Sequence, residues 1–238
     1  MQNDSLQRQN IDIKILTGEE ILDIYTTHSI RHFPEDERKP VSSIQRMTAE
    51  GIYTGYGLYS RIESGALLGY AFFTVLPDHG GCLLDYFAVM EDYRSHGIGS
   101  LFLQYIKSSF RDIPGFLIES EDPDYAENPS EYSVRCKRLD FYERNGAVFT
   151  GIRASVFGVP YRLLFFPIQS TEKFSPEISS ETLPEPVSPE TVYSNFCSIY
   201  RRMVSPEAYQ TQIRIFPREI SLGKVAPTRK TGGSGRGL

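Results

Sequence analysis

The sequence has no tryptophan and only three cysteines among its 238 residues. Cys82, Cys136 and Cys197 are too scattered for a disulfide framework or for the short ligand spacings of a zinc site, so they read as reduced thiols used in packing. No apolar run approaches the roughly 20 residues that cross a bilayer, and no membrane partner is expected. The opening Met1-Gln2-Asn3-Asp4-Ser5 lacks a basic segment followed by an apolar one, which points away from export and toward a cytoplasmic protein. A basic excess is missing too: the net charge of -5 leaves no footprint for nucleic acid. That balance suits a cationic amine ligand. No repeats are evident.

What remains is an ordinary soluble composition, 40% apolar and 23% charged. The length fits one large domain with a smaller appendage. Ile11, Ile13 and Ile15 alternate with polar residues as a half-buried strand. Thr17 and Glu20 are spaced as a capping box and open a helix that carries Ile21, Leu22, Ile24 and Tyr25 inward. Two prolines break the charged stretch 31–40, and a second helix is expected to about Glu50. Strands over 52–62 and 66–76 are joined at Glu63-Ser64-Gly65, and Asp78-His79-Gly80-Gly81 turns into the next strand. Gly55, Gly57 and Gly69 inside these strands suggest bulges or close backbone approaches. Residues 116–121 form another strand. Asn128 with Pro129 starts a helix that Asn145-Gly146 ends. Strands over 147–152 and 156–166 complete the sheet.

Beyond Pro167 the composition changes. Residues 169–189 are rich in Ser, Pro, Glu and Thr and read as a linker. Ser188-Pro189 and Ser205-Pro206 each place a cap before a first-turn proline, giving two short helices. Val192, Tyr193, Phe196, Ile199, Tyr200 and Tyr209 then need a surface. Docking on residues 1–168 is the expectation and a dimer contact the rival, so the chain is a monomer or a homodimer. Residues 224–238 are expected to be disordered.

The chain is organised around residues 83–100. Leu83-Leu84-Asp85-Tyr86-Phe87-Ala88-Val89 is a compact, mostly apolar strand. After the loop 90–93 comes Arg94-Ser95-His96-Gly97-Ile98-Gly99-Ser100. From there Ile98, Leu101, Phe102, Tyr105 and Ile106 recur on one helical face. A helix start offers unpartnered N–H groups and the positive end of the dipole. Gly97 and Gly99 let an anion approach the main chain, and Arg94 adds charge. The lysine and hydroxyl of a nucleotide P-loop are absent.

The order Arg94-x-x-Gly97-x-Gly99 after an apolar strand resembles the coenzyme A signature of the GNAT acetyltransferases. Phe141-Tyr142-Glu143-Arg144-Asn145-Gly146 is similar to a second segment of that family, and the resemblance covers about residues 10–168. It implies a mixed α/β fold: a mostly antiparallel sheet splayed between its fourth and fifth strands, flanked by helices. It further implies acetyl-CoA as cofactor, held by the main chain of Phe87, Ala88 and Val89 and by Arg94, Ser95, His96, Gly97, Ile98, Gly99 and Ser100. An N–H at Val89 or Phe87 would take the thioester carbonyl. The loop 31–40 would lie over the substrate mouth, with His28 and His32 at its border.

Acetyl transfer to an amine needs a base, a polarised carbonyl and a proton for the departing thiolate. Tyr142, with an ordinary phenol pKa of roughly 10, is the candidate acid. Glu119 and Glu121 share a strand face, and Asp85 belongs to the neighbouring strand. Glu119, the deeper, is the best candidate base; Glu121, Asp85 and a water chain stay open. Arg135 and Arg138 share a helical face with Tyr142. The family often has Asn and Ala at these two positions, yet the arginines suit cofactor phosphates. The expected activity is N-acetylation of a small-molecule amine. A protein or peptide amine is the second choice, and a catalytically silent acyl-CoA-binding module the rival from another class.

Overall fold

The computed structural model describes residues 10–63, 65–77, 81–110, 113–168 and 187–216. The expectations for Ser64, for Asp78-His79-Gly80, for the linker over 169–186 and for the tail fall outside these residues.

Among the described residues, eight strands form one sheet in the order β1-β2-β3-β4-β5-β7-β6-β8. They are β1 Ile11–Ile15, β2 Tyr53–Ser60, β3 Leu67–Val75, β4 Cys82–Val89, β5 Gly115–Glu121, β6 Val148–Val156, β7 Val159–Pro167 and β8 Ile213–Phe216. Only β4 and β5 run parallel; every other neighbour pair is antiparallel. The helices are α1 Gly18–His32, α2 Val41–Ala49, α3 Ile98–Ser109, α4 Pro129–Arg144, α5 Pro189–Met203 and α6 Pro206–Gln212. The expected mixed α/β architecture is present.

Local chemistry sets the helix ends. Glu20 N–H donates to Thr17 Oγ1 at 3.2 Å and Thr17 N–H to Glu20 Oε2 at 2.8 Å. Together these bonds form the full capping box. Asn128, Ser188 and Ser205 each accept a first-turn N–H, and a proline follows each. Gly146, at φ +103°, releases α4.

The sheet separates two apolar layers. One face buries Ile21, Ile24 and Tyr25 of α1, Ile44 and Met47 of α2, and Val192, Phe196, Ile199 and Tyr200 of α5. The other buries Ile98, Phe102, Leu103 and Ile106 of α3 with Leu139 and Tyr142 of α4. So α5 is part of the core. A Cβ on Gly81 would lie 2.9 Å from Ile199 Cδ1, a measure of how closely α5 approaches the start of β4. Arg46 of α2 donates to the carbonyls of Met203 (2.6 Å) and Arg202 (3.4 Å). It holds the C-terminal end of α5 with a cation where the dipole favours one.

Several expectations need correction. Tyr105 is 43% exposed and Tyr193 46%; α3 buries Leu103 where Tyr105 was expected. β6 runs to Val156, and the turn is Phe157-Gly158 at φ +49° and +89°. Consecutive positive φ values match the twist of a tight hairpin, but this conformation normally recruits Asn or Gly first, so Phe157 hid the turn. β8 was not anticipated: four residues leave α6 directly and pair with the far side of β6.

Candidate active site

Two features of β4 create the site. Its register against β3 jumps from Phe72↔Tyr86 to Phe73↔Leu84, which makes Asp85 the extra residue of a bulge. A bulge puts two successive side chains on one face. Asp85 and Tyr86 therefore both meet the α1–α2 side, where Tyr53 donates to Asp85 Oδ2 at 2.6 Å and Lys39 forms an ion pair with Oδ1.

The second feature is the end of pairing. β4 and β5 are joined only at Leu83↔Leu117 and Leu84↔Ile118. Past that point, among the described residues, the edge of β4 facing β5 has no strand beside it. Met90 N–H donates to Leu68 O at 2.9 Å. Amide direction alternates along a strand. Tyr86, Ala88 and Met90 thus bond toward β3, whereas the N–H groups of Phe87 and Val89 face the gap. The Ala88 amide is thereby removed from the cofactor role expected of it. Arg94 Nε takes up the Val89 carbonyl at 3.0 Å, an acceptor that β5 would otherwise have satisfied.

The gap continues into the turn before α3. Ser95 (φ +65°) and Gly97 (φ +76°) adopt left-handed conformations, and Gly97 is the N-cap of α3 without any side-chain cap. Such alternation forms a concave nest of N–H groups suited to an anion, next to the dipole of a helix of 12 residues. Ser95 and His96 are exposed, and Ile98 instead packs inward. Gly99 lies where a Cβ would press 3.3 Å from the Phe141 ring.

A cavity of about 870 Å³ opens on the gap. Phe87, Val89, Arg94, Arg138 and Tyr142 line its cofactor-expected flank. Asp36, Glu37 and Lys39 come from the segment between α1 and α2; Tyr161 comes from β7; Tyr200, Met203 and Ala208 come from α5 and α6. The segment 34–40 is anchored by two phenols. Tyr25 donates to Lys39 O at 2.6 Å, and Tyr86 accepts from Lys39 N–H at 2.9 Å while donating to Glu37 O at 3.0 Å. His32 lines the cavity and contacts the Tyr70 hydroxyl through Nδ1 at 3.0 Å; burial, then Arg94, lowers its pKa.

Glu119 also lines this cavity. Burial pushes its pKa up to about 7, against lowering by the Tyr200 hydroxyl and Lys39. Glu37 is lifted to about 7 as well, by burial and then by Glu121. Tyr142 is buried, and desolvation raises its pKa to about 12, so its proton is retained at neutral pH. Glu121, on the same strand face as Glu119, is ion-paired with Arg135 (2.9 Å) and Arg138 (2.5 Å). Arg135 is 7% exposed, and it also pairs with Glu131 and donates to Asp122 O at 2.9 Å. Its guanidinium is therefore committed to the α4–β5 junction, away from the phosphate role expected of it; Arg138 alone of the two lines the cavity.

Residues 20–130 match the family model described as the acetyltransferase (GNAT) family. Over those residues the chain resembles a GNAT acetyltransferase domain. Among solved structures, a GNAT-family protein from Bacteroides thetaiotaomicron is 15% identical, with TM-score 0.51 over 68% of this chain and 90% of that one. Another GNAT-family protein, from Desulfovibrio desulfuricans, is 16% identical, with TM-score 0.50 over 67% of this chain and 99% of that one. At these identities the likeness is one of fold. No curated protein matches the chain.

The GNAT match ends at residue 130, before Tyr142, Tyr161 and Tyr200. Sequence reasoning brought Glu119, Asp85, Tyr142 and the turn 94–100 to one region. It missed Lys39, Tyr53, Tyr161 and Tyr200 as site residues. For Tyr200 a signal existed, since an apolar helix face carrying a phenol needs both a core and a hydrogen-bond acceptor.

Proposed function

We propose that the chain transfers the acetyl group of acetyl-CoA to a primary amine of a small molecule, with both substrates bound at once. The observation that carries this reading is the gap itself. Phosphate-binding geometry lies at one end of it, free main-chain N–H groups line it, and a carboxyl with a pKa of about 7 stands in the cavity beyond.

The residues present suit coenzyme A. The left-handed turn at Ser95 and Gly97 and the first amides of α3 fit a diphosphate, with Arg94 and Arg138 as cations nearby. When bound, the cofactor supplies an activated acetyl thioester. The chain supplies the rest. Glu119, its pKa pushed up to about 7 by burial, takes a proton from the incoming ammonium and leaves a nucleophilic amine. The N–H of Val89 or Phe87 donates to the developing oxyanion in a site where fixed dipoles are strong. Tyr142 holds a proton on its hydroxyl for the leaving sulfur.

Asp85 serves differently: its carboxylate is held by Lys39 and Tyr53, so it fixes the segment 34–40 over the cavity. That segment and α5–α6 wall the cavity from two sides, which favours a small acceptor over a peptide chain. Calorimetry with acetyl-CoA, followed by thiol release against a panel of amines, tests the reading. Binding together with amine-dependent thiol release is expected. Binding without release from any amine would leave only the silent module.

A further inference from the structure

The acceptor side of the site contains a group from outside the matched family region. Tyr200 lies on α5, and its hydroxyl is 2.6 Å from Glu119 Oε1 and 2.8 Å from Oε2. A phenol has one proton and donates to whichever carboxylate oxygen it is nearer. The ring is 1% exposed and packs against Phe196, with centroids 4.7 Å apart. Arg46 clamps the carbonyls just beyond it, and Arg202 pairs with Glu50 of the same α2 segment at 3.1 Å. Tyr200 cannot turn away without repacking α5 against the sheet.

We infer that Tyr200 is the positioning residue for Glu119, and that the C-terminal helices are therefore part of the catalytic apparatus. The inference rests on the proposed role of Glu119 as base. A carboxylate lining a cavity has several rotamers and needs one. The bond from Tyr200 selects the rotamer. It also favours the ionised state, because only a carboxylate accepts on either oxygen without itself donating. The other groups facing Glu119 act alongside it: Lys39 from the segment 34–40 favours the charge, Asp85 of β4 opposes it, and Tyr161 of β7 lies close enough to feel it. Without Tyr200 these leave Glu119 desolvated and short of a donor, so its ionisation moves to higher pH.

The test is the pH profile of kcat/KM for the full chain and for Tyr200→Phe. The variant's acidic limb is expected about one pH unit higher, the size of a lost hydrogen bond to a charged group. Activity at pH 7 then falls roughly five-fold and recovers on the alkaline side. A loss of the same size at all pH values would mark Tyr200 as a packing residue and overturn the inference, as would an unmoved profile. Should Tyr200→Phe fail to fold, 3,5-difluorotyrosine placed at position 200 keeps the shape and makes the hydroxyl a stronger donor. The limb should then move to lower pH, and an unmoved limb overturns the inference. If the wild-type chain releases no thiol with any amine, the acetyl-transfer reading falls by itself. Carboxyl-carbon NMR titration of Glu119, with and without the Tyr200 hydroxyl, then decides the positioning claim.

Discussion

The two flanks of the β4–β5 gap are built in opposite ways. The flank at the start of α3 is seven consecutive residues, Arg94 to Ser100, and its shape comes from two left-handed backbone positions and a bare helix start. The flank around Glu119 is assembled from distant pieces: Lys39, Tyr53, Asp85, Glu119, Tyr161 and Tyr200 come from six separate segments. In the proposed reading the first handles an anion with main-chain N–H groups, which every residue but proline has. The second would handle a proton, and a pKa near 7 on a carboxyl requires burial that no local segment provides. Anion grip can be local; proton control has to be tertiary.

The sharpest way to break that contrast is Glu119→Gln. Its amide still accepts from Tyr200, so the fold is retained, while kcat/KM is expected to drop about a thousand-fold, in the range for a lost general base. Activity within about ten-fold of the wild type would remove the proton role from this flank. Tyr142→Phe comes next, with kcat lowered about a hundred-fold and acetyl-CoA affinity unchanged by calorimetry. Equal turnover would mean the phenol merely packs against Phe87 and Phe141.

A smaller effect is expected at the other flank. At Gly97 a Cβ meets no atom within 4 Å, so Gly97→Val tests backbone conformation alone. The backbone there has φ +76°. A β-branched residue in that region costs about 1–3 kcal/mol, and acetyl-CoA affinity should fall by about ten-fold or more. Undiminished affinity would detach the turn from the cofactor.

The mildest effect is on stability. Burial pushes the Glu119 carboxyl up to about 7 in the folded chain against an ordinary 4.5. Between these values the folded state holds more protons than the unfolded one, so stability declines as pH rises through this window. Glu37 contributes in the same direction. Melting temperatures of Glu119→Gln across roughly pH 4 to 8 should follow a flatter curve, with the variant the more stable at the alkaline end. Parallel curves would show that Glu119 is not held in its buried state.

Much of the fold was legible because its signals are short-ranged. Thr17 accepts from the N–H of Glu20, Asn128 from Glu131, Ser188 from Thr191 and Ser205 from Ala208, each only three residues on. Gly97 and Gly146 each sit at a helix end where the backbone takes the positive φ that glycine adopts freely. Less of the site was legible. Arg135 and Arg138 share a helical face with Tyr142, and spacing could not say that Glu121, on another element, would take up the first and pair with the second.

The chain alone therefore settled where its helices begin and which stretch carries the left-handed turn at a bare helix start, since those depend on neighbours a few positions apart. Tertiary structure decided that Asp85 bulges toward Lys39, that α5 lays a phenol on Glu119, and that β8 joins the sheet edge. Burial and strand pairing depend on partners far away in sequence, and a carboxyl acquires its chemistry only once those partners have closed around it.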